Sequence, residues 1–252
     1  PKDVILYLAG HLTVSRGTNS TIEYFGPGAR SISCTGKATI TNMGAELGAT
    51  TSIFPYDERM ARYLSATDRD NLAKLANNNK GILTADKEVV DDPESYFDIL
   101  VKIDLSELEP HVVGPHSPDR ARPLSQLAQE VKDESNEFVS DISATLIGSC
   151  TNSSYEDMSR AADVAKQAIE RGVRAKAPLM VTPGSERVRA TIERDGQMAS
   201  LRSIGATVLA NACGPCIGQW KRSQDVSTKP NSIVTSYNRN FPARNDGQQT
   251  TM

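Results

Sequence analysis

The sequence lacks any apolar run that approaches the roughly 20 residues of a membrane-spanning helix, and it has little cysteine and little aromatic content. Four cysteines in 252 residues are too few for a disulfide scaffold, so reduced thiols that serve metal or redox chemistry are the preferred interpretation. Positive charge is not in excess, since the net charge is −3. We therefore expect neither a membrane nor a nucleic acid as a partner.

The sequence also lacks an initiator methionine and a targeting segment, because it begins at Pro1 and ends in a polar stretch, 245–252. Both ends predict a segment of a longer protein, so the compartment cannot be read from a targeting signal. The stretch 105–138 holds four prolines and two histidines and predicts a crossing between domains. His111 and His116 are interpreted as loop histidines, since neither stands at a metal-ligand spacing from other ligand types.

Apolar runs alternate with helical patterns in the second half of the chain. Strands are predicted over 142–148, 179–182, 206–212 and 232–236, and helices over 155–171, 186–193 and 197–204. The first half gives a helix or strand over 1–12, strands over 21–25 and 98–104, and helices over 57–63 and 68–76. The alternation indicates α/β, with two three-layer α/β/α units and mostly parallel sheets. We divide the chain into a small α/β domain, 1–110, and a second α/β domain, 111–252.

Three of the four cysteines follow apolar runs, at the points where predicted strands end. Cys150 comes after the run that starts at 144, and Cys213 and Cys216 come after the run 209–212. Ligands of open α/β sheets gather outside the carboxyl ends of the strands. Two such strand ends could therefore present their thiols to one soft metal centre.

Three interpretations compete for the sequence Cys-Gly-Pro-Cys at 213–216. A thioredoxin-type dithiol uses this tetrapeptide, but Ala212 replaces the expected aromatic residue and Gly218 interrupts the helix that should follow. A structural zinc site needs two close pairs of ligands, and Cys150 has no nearby partner. The third interpretation is an iron–sulfur cluster held by three thiolates, which leaves one iron open to act as a Lewis acid.

Small residues dominate the segment 33–52, which permits close approach of its backbone to a neighbour or ligand. Asn42 and Glu46 lie within it, four residues apart, and share one face if the segment is helical. Taken alone, they would be solvated polar residues on a tightly packed helix.

Several of these segments resemble the aconitase family. Those that look like its iron–sulfur signatures are 146–157, 212–220 and 237–246, and 41–56 and 183–196 are also similar to the family. The match covers nearly the whole chain and is closer to the mitochondrial type than to isopropylmalate dehydratases. The resemblance implies a [4Fe–4S] cluster on Cys150, Cys213 and Cys216, Asn42 and Glu46 near the open iron, Asn238 bonded to the cluster, and Arg239 and Arg244 on the substrate carboxylates.

The activity that this resemblance implies is the interconversion of citrate and isocitrate through cis-aconitate, in the mitochondrial matrix and by a full-length monomer. The family's remaining catalytic residues lie in domains outside this sequence, so the segment alone is expected to be inactive. The tail 247–252 departs from the family pattern, and Cys34 matches a family position that has no ligand role. A homoaconitase-like dehydratase and the thiol-disulfide oxidoreductase remain as alternatives.

Overall fold

The computed structural model describes residues 1–133, 138–222 and 226–252, and the chain forms two compact units, Pro1–His111 and Val112–Met252. Whether these units are the two predicted domains, 1–110 and 111–252, stays a prediction. None of the helices in the described part of the chain is both long and apolar enough to span a bilayer.

The first unit is built from helices around one short pair of strands. Its elements are α1 (Lys2–Gly17), β1 (Thr21–Glu23), α2 (Pro27–Ser31), α3 (Cys34–Asn42), β2 (Thr51–Ile53), α4 (Glu58–Ala66), α5 (Asp70–Asn78) and α6 (Lys87–Asp91), with short 3₁₀ helices over Met43–Leu47, Lys80–Ile82 and Pro93–Ser95. β1 and β2 pair in parallel. The segment 1–12, which the sequence left open, is helical and belongs to α1.

The core of the first unit lies between α1, α3 and the 3₁₀ helix Met43–Leu47. Ile5, Ile40 and Leu47 are fully buried there. A Cβ atom on Gly17 would lie 2.0 Å from the carbonyl oxygen of Leu47, so α1 can end against this helix only with a glycine.

The second unit contains a parallel sheet with helices between its strands. The elements from the unit boundary onward are β3 (His111–Val113), β4 (Ala121–Pro123), α7 (Leu124–Glu130), β5 (Ile142–Ile147), α8 (Tyr155–Glu170), β6 (Leu179–Val181), α9 (Glu186–Arg194), α10 (Gln197–Ser203), β7 (Ala206–Val208) and β8 (Ser232–Thr235), with a 3₁₀ helix over Gly214–Cys216. Its core joins α8, α9 and α10 to β6 through buried side chains, among them Met158, Val181, Ile192, Met198 and Leu201.

The order of the strands in the main sheet is β7-β6-β5-β8, and all neighbours are parallel. The chain runs outward from β5 through β6 to β7 and then returns to place β8 on the other side of β5. The carboxyl ends of all four strands therefore meet at one edge, with a change of direction between β5 and β8. Such a switch point is where open α/β sheets bind ligands.

The predicted α/β class with mostly parallel sheets is confirmed, but the predicted strand over 98–104 is wrong, because that segment has no strand structure. The polar tail at 247–252 also contacts the second unit through its last residues. Thr251 forms a parallel bridge with Asn231, and the N–H of Ile233 donates to the Met252 carbonyl at 2.9 Å. The polar tail thus pairs with the backbone at the start of β8.

Candidate functional site

The three cysteines of interest occupy two loops at the carboxyl edge of the main sheet. Cys150 follows β5, and Cys213 and Cys216 follow β7, where the N–H of Cys216 donates to the Cys213 carbonyl at 2.9 Å. Cys150 and Cys213 are exposed and Cys216 is half-buried. All four cysteines of the chain lie in the described residues, and each is a free thiol.

Cys216 lies within electrostatic reach of four other site residues. Burial raises the pKa of the Cys216 thiol, Arg244 lowers it, Cys213 and Cys150 raise it, and Arg239 lowers it, in this order of size. Charge interactions weaken with distance, so these four side chains lie within electrostatic range of the Cys216 thiol. Two thiols and two guanidinium groups therefore act on this thiol.

The loop that carries Cys150 has a fixed shape. Ser149 adopts a left-handed φ of 83°, and its Oγ accepts from the N–H groups of Thr151 and Asn152, both at 3.3 Å. The N–H of Gly148 donates to Ser236 Oγ at 2.8 Å, which ties the loop to the end of β8. Cys150 therefore lies on a turn that is held from within and from the neighbouring strand.

Asn238 is oriented by the loop that carries Cys150. Its Oδ1 accepts from Asn152 Nδ2 at 2.7 Å, and its Nδ2 donates to Thr151 Oγ1 at 3.0 Å. Thr151 Oγ1 is in turn 3.8 Å from the sulfur of Cys150. The side-chain amide of Asn238 is thus held beside the thiol of Cys150. The sequence analysis did not predict that Asn152 orients Asn238, although its position two residues after Cys150 could have indicated a place in the site.

The Cys213–Cys216 turn is locked to the segment that carries Arg244. Asn245 Nδ2 donates to the Pro215 carbonyl at 2.8 Å. Gly218 has a φ of 80°, and a Cβ atom there would lie 3.0 Å from the Ala243 carbonyl oxygen. The backbone of the turn therefore packs directly against the backbone next to Arg244.

The buried side chain of Arg222 connects the start of β5, the residue before β8 and the segment that follows Arg244. Its NH1 donates to Asn231 Oδ1 at 2.6 Å and to Asp246 Oδ2 at 3.3 Å, and its NH2 donates to Ser143 Oγ at 2.9 Å. The guanidinium also lies 5.2 Å from the ring centre of Trp220. No local sequence signal reveals this network, because Ser143 is 79 residues away in the chain.

The donor set fits a cluster better than a single ion. Within the described residues, no three His, Cys, Asp or Glu side chains are arranged to hold one metal ion. In an iron–sulfur cluster each thiolate binds a different iron, so the sulfurs need not be ligands of one ion. The buried Nε of Arg244 has no hydrogen-bond partner among the described residues, and such a donor favours an anionic group beside it. Three thiols with an unsatisfied guanidinium nitrogen therefore fit a [4Fe–4S] cluster.

Asn42 and Glu46 lie in the first unit. Asn42 is the last residue of α3, and Glu46 belongs to the 3₁₀ helix that follows. Asn42 is exposed and Glu46 is half-buried. Cys34 begins α3 directly after its N-cap, Ser33, and burial raises the pKa of its thiol.

Comparison with known proteins gives one consistent result. The model of the aconitase family (aconitate hydratase) matches residues 1–252. Similar proteins named "Aconitate hydratase, mitochondrial" occur in Gracilaria gracilis, 57% identical over 251 residues, in Schizosaccharomyces pombe, 54% identical over 251 residues, and in Aspergillus fumigatus, 54% identical over 251 residues. Each alignment covers 100% of this chain and 31% of the relative. The chain thus spans about a third of the length of these curated relatives.

Proposed function

The chain belongs to the aconitase family, and from this premise we propose that it is the cluster-binding part of a hydro-lyase that interconverts citrate and isocitrate through cis-aconitate. In this proposal Cys150, Cys213 and Cys216 hold a [4Fe–4S] cluster. When bound, the cluster supplies a Lewis-acid iron that weakens the bond to a leaving hydroxyl group. The names of the relatives support a mitochondrial location, and in this proposal the reaction belongs to the tricarboxylic acid cycle.

One observation carries this proposal, namely the gathering of Cys150, Cys213, Arg239 and Arg244 around the thiol of Cys216. Burial and the two neighbouring thiols keep the Cys216 thiol protonated, so a metal centre must displace this proton to bind the sulfur. The two guanidinium groups oppose the raised pKa and stabilise the negative charge that the thiolates bring. This combination is the one that an anionic cluster requires.

The remaining site residues of the second unit would act on the substrate. Arg239 and Arg244 each offer a planar fork of N–H donors, which matches the geometry of a carboxylate. Arg244 is prepared for this, because its buried Nε has no partner among the described residues. Asn238 would present an amide held by Thr151 and Asn152 to the cluster edge. Asn42 and Glu46 are proposed to lie near the substrate hydroxyl and to assist its departure.

A dithiol oxidoreductase is less well supported. Such enzymes depend on a thiolate of low pKa at the start of a long helix. Here the helix at Cys213–Cys216 is a 3₁₀ helix of three residues, Gly214–Cys216. So short a helix does not favour attack on a disulfide.

Anaerobic reconstitution of the purified protein with ferrous iron and sulfide tests the proposal. We expect a brown protein with broad visible absorption and an iron and sulfide content that fits one cluster. Cys150→Ala, Cys213→Ala and Cys216→Ala should each lose most of this absorption, whereas Cys34→Ala, the matched control, should keep it. A Cys150→Ala variant that binds as much iron as the wild type would contradict the proposal. Reduction of insulin disulfides that survives this substitution would favour the oxidoreductase instead.

A further inference from the structure

A cavity of about 460 Å³ opens in the first unit. It lies between the start of α2, the start of α4 and the segment 80–90. Small-molecule sites commonly have volumes of about 300 to 1,000 Å³, so the cavity is large enough for a ligand. Asn42 and Glu46, the residues of the first unit that the proposed function uses, do not line it.

The lining of this cavity is rich in positive charge, although the whole chain has a net charge of −3. Its basic side chains are Arg30, Lys37, Arg59, Arg62 and Lys80, and its acidic side chains are Asp57 and Glu58. Basic side chains therefore outnumber acidic side chains in the lining, whereas acidic residues outnumber Lys and Arg in the chain as a whole.

The negative charge of Asp57, one of the two acidic side chains of the lining, is already neutralised. Asp57 forms a buried ion pair with Lys37. Its other oxygen, Oδ1, accepts from the N–H groups of Arg59 and Met60 at 3.0 Å and caps α4. This carboxylate is thus fully engaged by groups of the protein, and Glu58 alone remains to oppose the other cations.

Among the residues that the structure describes, four cations of the lining have no acidic partner. Within the described residues, Arg30, Arg59, Arg62 and Lys80 take part in no ion pair, whereas Arg160, Arg189, Arg194 and Arg202 of the second unit all do. Two of them are bonded to backbone: Arg59 Nε donates to the Arg30 carbonyl at 3.2 Å, and Arg62 Nε donates to the Glu58 carbonyl at 3.5 Å. Cations that share one cavity repel each other, and a bound anion would relieve this repulsion.

The same cavity has an apolar side that is made rigid by stacked rings. Phe25 and Phe54 line it. Phe54 stacks on Tyr24 with ring centres 4.5 Å apart, and Phe25 stacks on Phe97 at 5.7 Å. Val90 adds a further apolar contact surface. A ligand that contacts both the cationic side chains and the aromatic rings of the cavity needs an apolar body next to its negative charges.

We propose that this cavity binds a small organic anion that carries several negative charges next to an apolar or planar body. Arginine forks would bind phosphate or carboxylate groups, and the rings would contact the body of the ligand. Adenosine triphosphate is a suitable probe, since it combines a polyphosphate with a planar base. Tripolyphosphate is the matched comparison, because it carries similar charge without such a body.

Isothermal titration calorimetry of these two anions into the protein tests the proposal. We expect saturable binding of adenosine triphosphate, with tripolyphosphate at least about tenfold weaker. The double variant Arg30→Gln/Arg62→Gln should weaken adenosine triphosphate binding at least about tenfold. The control Arg16→Gln/Lys102→Gln removes the same charge from exposed positions of the same unit outside the cavity lining. It should change the affinity by no more than about twofold.

Three results would overturn the proposal. They are the absence of saturable binding by the wild type, equal affinity in the wild type and in Arg30→Gln/Arg62→Gln, and equal affinity for adenosine triphosphate and tripolyphosphate. Arg30 and Arg62 are exposed, so circular dichroism should show that the variant keeps its fold. Because the probe binds without iron, a failure here leaves the cluster proposal unaffected.

Discussion

Asn152 donates a hydrogen bond of 2.7 Å from its Nδ2 to the Oδ1 of Asn238 and thereby joins the loop after β5 to the loop after β8. These two strands are neighbours at the switch point of the sheet. Asn152 is also buried, at 8% exposure, so its amide faces protein rather than solvent. The orientation of Asn238 beside Cys150 therefore depends on the side chain of Asn152, which belongs to the loop after β5.

Removal of this amide should loosen Asn238. We expect Asn152→Ala to lower the free energy of unfolding by about 1 to 3 kcal/mol, because the partly buried acceptor on Asn238 loses its donor. The circular dichroism of the reconstituted cluster in the visible range should also change. Asn211→Ala is the control, since this exposed asparagine also donates to a side chain, Glu186 Oε2, at 2.7 Å. Equal spectra for wild type and Asn152→Ala would show that Asn238 is held by other contacts.

The buried pair Arg222–Asp246 should be among the most sensitive contacts of the second unit. Their side chains are 6% and 2% exposed, and loss of one partner leaves the other charge buried. We expect Arg222→Met to cost about 3 to 5 kcal/mol in urea denaturation. The double variant Arg222→Met/Asp246→Leu should cost less than the two single changes together. The exposed pair Arg194–Asp195 gives the control Arg194→Met, with a much smaller effect. Additive costs in the double variant would mean that the two charges are not coupled.

Much of the second unit could be predicted because its apolar runs coincide with strands that are buried in the sheet. The run at 142–148 forms β5 over Ile142–Ile147, and the predicted helix over 155–171 is α8, which Ser154 caps with a capping box. The run at 98–104 is also apolar at its centre, but within the described residues it pairs with no strand, and Ile99 is 55% exposed. Strand formation depends on a partner, which a sequence pattern does not reveal.

The positions of the three cysteines could be predicted because the carboxyl ends of parallel strands lie at the same edge of a sheet. This rule brings Cys150 near Cys213 and Cys216 once β5 and β7 are assigned to the same sheet. It says nothing about Asn152 or Arg222, whose partners lie 86 and 79 residues away, because those contacts depend on which strand lies beside β5. The roles of the site residues on substrate and cluster stay predictions.

Gly17 and Gly81 offer a matched test of packing in the first unit. A Cβ atom on Gly17 would lie 2.0 Å from a backbone oxygen of Leu47, whereas a Cβ atom on Gly81 would have no atom within 4 Å. We expect Gly17→Ala to lower the free energy of unfolding by about 3 kcal/mol. Gly81→Ala should be neutral or stabilising by up to about 1 kcal/mol. Similar denaturation midpoints for the two variants would show that α1 does not approach Leu47 as closely as described.

Tyr24 should make the stability of the first unit fall at alkaline pH. Burial raises the pKa of its phenol well above the ordinary value of about 10. Near and above pH 10 the unfolded chain loses this proton while the folded chain keeps it, so the unfolded state binds fewer protons and stability declines as pH rises. The decline should approach about 1.4 kcal/mol per pH unit for this one group. Below about pH 9 both states keep the proton, and the group has no effect on the pH dependence.

Replacement of the phenol by a phenyl ring isolates this effect. Tyr24→Phe retains the ring that stacks on Phe54 but cannot ionise, so its unfolding free energy should fall less steeply between about pH 10 and 12 than that of the wild type. Tyr96→Phe, at a position that is 56% exposed, is the control and should follow the wild-type curve. Urea denaturation across this pH range measures the three curves. If Tyr24→Phe and the wild type decline in parallel, the phenol must be reached by water in the folded state, and the tight stack of Tyr24 on Phe54 would have to open.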